Sequence, residues 1–121
     1  AGKIYQNWPL MGNSYFPDDT KINNMTNFFD FDNQSLVQFY HRNLAYIITL
    51  YILILSFFIF KIKNKELYNP IIILITILSL QIILGIITLL SNLNIILASA
   101  HQITSIILVL SALNLYYSAI K

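Results

Sequence analysis

The sequence predicts an all-α membrane protein, and three observations carry that expectation. Of 121 residues, 57% are hydrophobic and only 10% charged, whereas about a quarter are charged in a typical water-soluble domain. From Leu44 onward the chain is almost continuous Ile and Leu, broken twice by short polar segments. Each unbroken stretch reaches the roughly 20 apolar residues that a bilayer crossing needs. Ile favours strands in water, but lipid offers no partner to a free backbone group. A spanning segment must therefore close its own hydrogen bonds, as a helix.

Residues 1–40 read as an outer segment, polar and aromatic, with the turn formers Pro9, Gly12, Pro17, Asp18 and Asp19 and short helical pieces. Residues 41–121 read as a three-helix transmembrane region. The first apolar run, Leu44 to Phe60, is extended backwards by Leu36, Val37, Phe39 and Tyr40 and predicts a helix over about 41–61. The second run follows Pro70, a residue suited to the start of a helix, and predicts 70–91. The third predicts 94–120. Short connections at 61–66 and 91–94 make neighbouring helices antiparallel. Lys61, Lys63 and Lys65 stand against a single Glu66, so the positive-inside rule turns that connection to the cytoplasm or matrix. The outer segment and the 91–94 turn then face the other way. Trp8, Tyr15, Phe16, Phe28, Phe29, Phe39 and Tyr40 suit an outer aromatic belt, and a cover over a bound ring.

Composition excludes several functions. With no cysteine, the chain has no disulfide framework, thiolate zinc site or iron–sulfur cluster. A net charge of +2, from scattered basic residues, gives no nucleic-acid footprint. No Ser–His–Asp set, phosphate-binding glycine loop or intramembrane carboxylate pair is present, so no residue is assigned a catalytic role.

The two histidines carry the chemistry. His41 lies 20 residues before Lys61 and His101 lies 20 before Lys121. At 1.5 Å per residue both imidazoles stand about 30 Å from the lysine-marked boundary. The first and third helices run the same way, so the histidines share one depth. Two imidazoles at one depth on parallel helices suit the axial ligation of a haem iron. Zinc or copper would want a third ligand, and none is nearby. The plainer reading makes His41 and Arg42 interfacial polar residues. His101 lies deeper, between the small residues Ala98, Ser99 and Ala100 and Gln102, where an ionisable group is costly. Gln81 and Gly85 share one face of the middle helix, fit for close approach of a macrocycle or simply for helix packing. Arg42 suits a haem propionate or a lipid headgroup.

Several stretches together resemble one family. They are Ala1-Gly-Lys-Ile-Tyr-Gln-Asn-Trp-Pro-Leu-Met-Gly12, Asn27-Phe-Phe-Asp30, Val37-Gln-Phe-Tyr-His-Arg42 with Ala45-Tyr46, Gln81 to Leu90, and Leu97-Ala-Ser-Ala-His-Gln102. In this order they resemble the C-terminal half of haem A synthase of the mitochondrial and alphaproteobacterial type. The resemblance implies an eight-helix enzyme of two four-helix halves that oxidises the C8 methyl of haem O to the formyl of haem A, for cytochrome c oxidase. It implies that this half is a four-helix bundle, supplying three transmembrane helices plus the exit of a fourth. It also implies that His41 and His101 hold a haem b, with Arg42, Gln81 and Gly85 around it. A glutamate linked to catalysis belongs to the family's other half, and Val37-Gln-Phe-Tyr-His carries no acid. Implied partners are the N-terminal half, haem O, an electron donor such as a ferredoxin, haem O synthase and membrane lipid, with no nucleic acid. The implied location is the mitochondrial inner membrane or the alphaproteobacterial plasma membrane.

The chain opens Ala1-Gly2-Lys3 without an initiator Met, as though cut from a longer polypeptide. The resemblance implies that it cannot hydroxylate haem alone, being either a fragment of a longer enzyme or the partner of a separately made N-terminal half. Two other readings fit the residues. One is a non-catalytic bis-histidine cytochrome b-type membrane anchor, the other a structural subunit of a respiratory complex.

Overall fold

Three long helices follow one another in a computed structural model that describes residues 8–10, Tyr15 and residues 34–121. They are α1 (Gln34–Ile62), α2 (Tyr68–Leu90) and α3 (Ile95–Ile120), with a single 3₁₀ turn at Lys65–Leu67 between the first two. Each is long and apolar enough to cross a bilayer; the regular structure among the described residues is all helical, and the chain is a multi-pass membrane protein. The exit of a fourth helix, expected ahead of α1, lies outside the described residues. Large side chains such as Ile47, Tyr51, Phe57 and Ile106 point outwards. In water such a surface would drive association; in lipid it is the ordinary exterior.

Two boundaries differ from the expectation. Helix α1 begins at Gln34 rather than near residue 41, so His41 sits two turns into the helix. Leu36, fully buried, belongs to this added stretch. Helix α2 begins at Tyr68, with Pro70 in its first turn rather than at its first position. The first-turn N–H groups have no acceptor within the helix, so a proline there removes nothing.

The α2–α3 hairpin closes by side-chain and backbone capping. Asn92 takes a left-handed φ of 59°, a conformation Asn accepts more readily than most residues. The Leu93 N–H then reaches back to the Thr88 carbonyl at 3.0 Å, the six-to-one bond of a Schellman ending. Asn94 caps the next helix, its side-chain oxygen accepting from the N–H groups of Ile96 (2.9 Å) and Leu97 (3.4 Å).

Between the helices runs a seam spaced alternately three and four residues apart, the spacing of helices that cross at a shallow angle. On α2 it reads Ile71, Leu74, Leu78, Gln81, Gly85, Thr88, and on α3 His101, Thr104, Leu108, Ser111, Leu115. The apolar core gathers at the lysine end, where Ile52 and Ile59 of α1 meet Ile71, Leu74 and Leu78 of α2 and Leu115 of α3. At the histidine end the seam turns small and polar. Buried Thr88 and Thr104 there, and Ser111 midway along α3, each donate to a carbonyl of their own helix, so they are satisfied while letting the backbones close up. Helix α3 packs against α2 along its length, whereas α1 touches α2 far less.

The Asn94 cap gives a direct test of the hairpin. Asn94→Ala removes the acceptor for two orphan N–H groups and is expected to cost about 1 kcal/mol of stability. Reversible unfolding in mixed detergent measures it, and an unchanged midpoint would rule out the capping role.

Candidate functional site

The seam brings the α3 imidazole against the backbone of α2. His101 lies opposite Gly85, and a Cβ built on that glycine would stand 3.0 Å from the His101 Cε1. The His101 Nδ1 is 3.1 Å from the main-chain carbonyl oxygen of Gln81. A carbonyl only accepts, so Nδ1 carries the proton and Nε2 keeps the lone pair that a metal needs. Gly85 thus admits an imidazole of its own chain, and it also lines the cavity beside the two histidines. Gln81 contributes its main chain to the histidine. Its side-chain Oε1 is buried with no hydrogen-bond partner among the described residues.

Helix α1 presents the other imidazole. The rings of His41 and His101 lie with centroids 6.5 Å apart and planes at 87°. Two imidazoles on opposite sides of one metal, each bonded at about 2.0–2.1 Å, have ring centres roughly 6.4 Å apart. Edge-to-face ring pairs span the same distance, so the surroundings must discriminate. Beside the pair opens a cavity of about 690 Å³, walled mainly by apolar side chains that include Ala45, Ile48, Leu78, Ile82 and Leu108. That size and lining belong to small-molecule and cofactor sites. Among the described residues no third His, Cys, Asp or Glu joins the two histidines, so the donor set is two imidazoles in an apolar cleft.

His41 itself is exposed, because the inward seam position of α1 belongs to its neighbour Arg42. Arg42 is buried and donates from Nη1 to the carbonyls of Leu10 (3.1 Å) and Pro9 (3.4 Å). These contacts carry the segment before α1 to the cavity, where Trp8 forms part of the wall. Tyr15 hydrogen-bonds Asn43 on the next residue of α1 and meets the Phe39 ring edge-on at 5.5 Å. Of the aromatic cover expected from sequence, Trp8, Tyr15, Phe39 and Tyr40 are therefore seen around the histidine end. Phe16, Phe28 and Phe29 lie outside the described residues.

Sequence reasoning did not single out the Arg42 grip on the outer segment. An arginine within an apolar run was the only signal, and no motif marks the Pro9 and Leu10 carbonyls that it reaches. Thr49, a polar residue that the sequence marks for packing or backbone capping, donates to the Ala45 carbonyl and also lines the cavity, as does Leu93, which carried no signal.

Residues 1–113 match the family model of the COX15-CtaA cytochrome oxidase assembly protein. The chain is 39% identical to a haem A synthase of Pelagibacter ubique over 117 residues, covering 97% of this chain and 34% of the relative. It is 38% identical to that of Rickettsia bellii over 121 residues, covering 100% and 35%. For Wolbachia pipientis the figures are 40% over 113 residues, 93% and 31%. The chain therefore spans about a third of the length of these relatives, all bacterial. No solved structure matches it.

The Arg42 clamp predicts a fluorescence change, because Trp8 is the sole tryptophan. In Arg42→Ala the indole should leave the cavity wall, with emission shifted to the red and stronger quenching by acrylamide. Identical emission and quenching in the two proteins would refute the clamp.

Proposed function

Since the chain belongs to the COX15-CtaA cytochrome oxidase assembly protein family, we propose that it is the haem-b-binding C-terminal portion of a haem A synthase. His41 and His101 are its axial ligands. The observation that carries the reading is the histidine pair itself, with ring centres 6.5 Å apart beside an apolar cavity of about 690 Å³. The donor set suits iron in a macrocycle, which brings four ligands of its own and asks the protein for two. A haem held there supplies reversible one-electron exchange.

The chain's own residues bind, orient and shield. His101 is held by the Gln81 carbonyl in the tautomer that leaves Nε2 free to bond. Arg42 keeps Trp8 over the outer part of the cavity, and the Ile and Leu walls exclude water. Among the described residues Arg42 is also the cation that lines this cavity, available to an anionic edge of the ring.

On this reading the whole enzyme oxidises the C8 methyl of haem O to the formyl of haem A, for cytochrome c oxidase. The reacting centre lies in the N-terminal half, within the two thirds of the relatives' length that this chain does not span. Its other partners are a one-electron donor such as a ferredoxin, haem O synthase and the lipid of a respiratory membrane, bacterial plasma membrane or mitochondrial inner membrane.

Absorption spectroscopy tests the assignment. Protein purified with haem should show the low-spin spectrum of bis-histidine ligation, and His41→Ala and His101→Ala should each abolish it. Retention of that spectrum in both variants would exclude these residues as the ligands. Product analysis tests the enzyme, since only the full polypeptide is expected to convert haem O, and a membrane anchor would leave it unchanged.

A further inference from the structure

Gly85 sits where a side chain would do more than crowd a neighbour. In an α-helix each N–H bonds the carbonyl four residues earlier, so the Gly85 N–H belongs to the Gln81 carbonyl. Every Cβ leans toward the helix N-terminus, over the turn before it. A Cβ at position 85 would therefore overhang the Gln81 oxygen, which in α2 accepts a second bond, from His101. The same Cβ would meet the ring at 3.0 Å from Cε1 and 3.5 Å from both Nδ1 and Nε2. The obstruction would thus fall on the whole imidazole, and on the face through which it reaches α2. Ile82, Leu84 and Ile86 flank the position, so Gly85 is the one residue in this stretch without a side chain, and it lies where the imidazole of α3 comes up to α2.

We propose that Gly85 is a positioning residue for His101. By leaving the Gln81 carbonyl uncovered, it fixes the Nδ1–H tautomer and the ring plane of this imidazole, and so tunes the iron that the ring holds. The part about iron rests on the haem-ligand reading; the part about the tautomer does not. A hydrogen bond from the far nitrogen of a metal-bound imidazole raises its basicity. The more basic ligand favours the ferric state and lowers the reduction potential. Gly85→Ala should break that bond and raise the midpoint potential, with part of the ferric haem turning high-spin as His101 is displaced. Neither change is expected from a glycine that merely lets two helices pack.

The test has one arm without haem and one with it. In protein carrying ¹⁵N-histidine and no haem, nitrogen NMR reads which ring nitrogen bears the proton, with His41→Ala used to assign the signals. His101 should be protonated at Nδ1 in the wild type and in Gln81→Leu, which keeps the main-chain oxygen, and should lose that state in Gly85→Ala. A wild-type His101 protonated at Nε2 overturns the proposal, even if Gly85→Ala does not fold. So does a Gly85→Ala protein that keeps both the Nδ1–H signal and the wild-type potential. If the tautomer responds as stated while the wild type takes up no haem, the ligand reading fails and the positioning of His101 by Gly85 stands.

Discussion

The contact between the His101 imidazole and the α2 backbone at Gly85 is the constraint on which the histidine end depends. It requires α3 to lie close against α2 where the seam carries Gln81, Gly85 and Thr88 rather than large aliphatic residues. In lipid no hydrophobic force presses one helix onto another, so close packing and interhelical hydrogen bonds must do it. The bond from Nδ1 to the Gln81 carbonyl is such a hydrogen bond. It also satisfies an imidazole donor that would otherwise lie unpaired in an apolar cleft, where burial without a partner is costly.

The molecule is consequently built in two unlike halves. At the lysine end, Ile and Leu from all three helices meet in one packed cluster. At the histidine end, α2 and α3 stay together while α1 stands off, and the space between them is the cavity. The division follows from side-chain size along one seam. Ile71, Leu74 and Leu78 fill the space between helices, and Gly85 and Thr88 do not. Spare room therefore collects toward α1, where the polar groups are, and the two imidazoles meet beside it.

Much of this was legible in the sequence. Helix number and type followed from the length of the apolar runs and from the lack of backbone partners in lipid. The hairpin could be read from Ser91-Asn-Leu-Asn94, since Asn serves both the left-handed ending and the helix cap. The meeting of His41 and His101 followed from counting back to Lys61 and Lys121, because a straight helix converts residues to depth. The start of α1 was misplaced because polar residues obscure a helix beyond the lipid-facing run. The target of Gly85 was equally hidden. A glycine four residues after a glutamine marks a close approach, but sequence does not say whether a ring from the next helix or a ligand fills it. Arg42 gives the sharpest case. Its charge points to an anion, yet it also donates to the carbonyls of Pro9 and Leu10, brought there by tertiary structure.

The loose seat of α1 bears on how the proposed cofactor and the fold depend on each other. Helix α1 meets α2 mainly in the lysine half, and polar contacts help to hold its histidine half. Arg42 binds the outer segment, Tyr15 binds Asn43, and His41 stands opposite His101. A ligand bonded to both imidazoles would tie α1 to α3, two helices whose backbones scarcely approach, and would fill the space between them. Such a ligand binds only the assembled arrangement, so its binding free energy adds to the stability of that arrangement. Cofactor uptake and the docking of the histidine half of α1 are then one event. An open cavity in an otherwise packed bundle is what such coupling requires, because a histidine end closed by aliphatic packing would have no room for the ring that completes it.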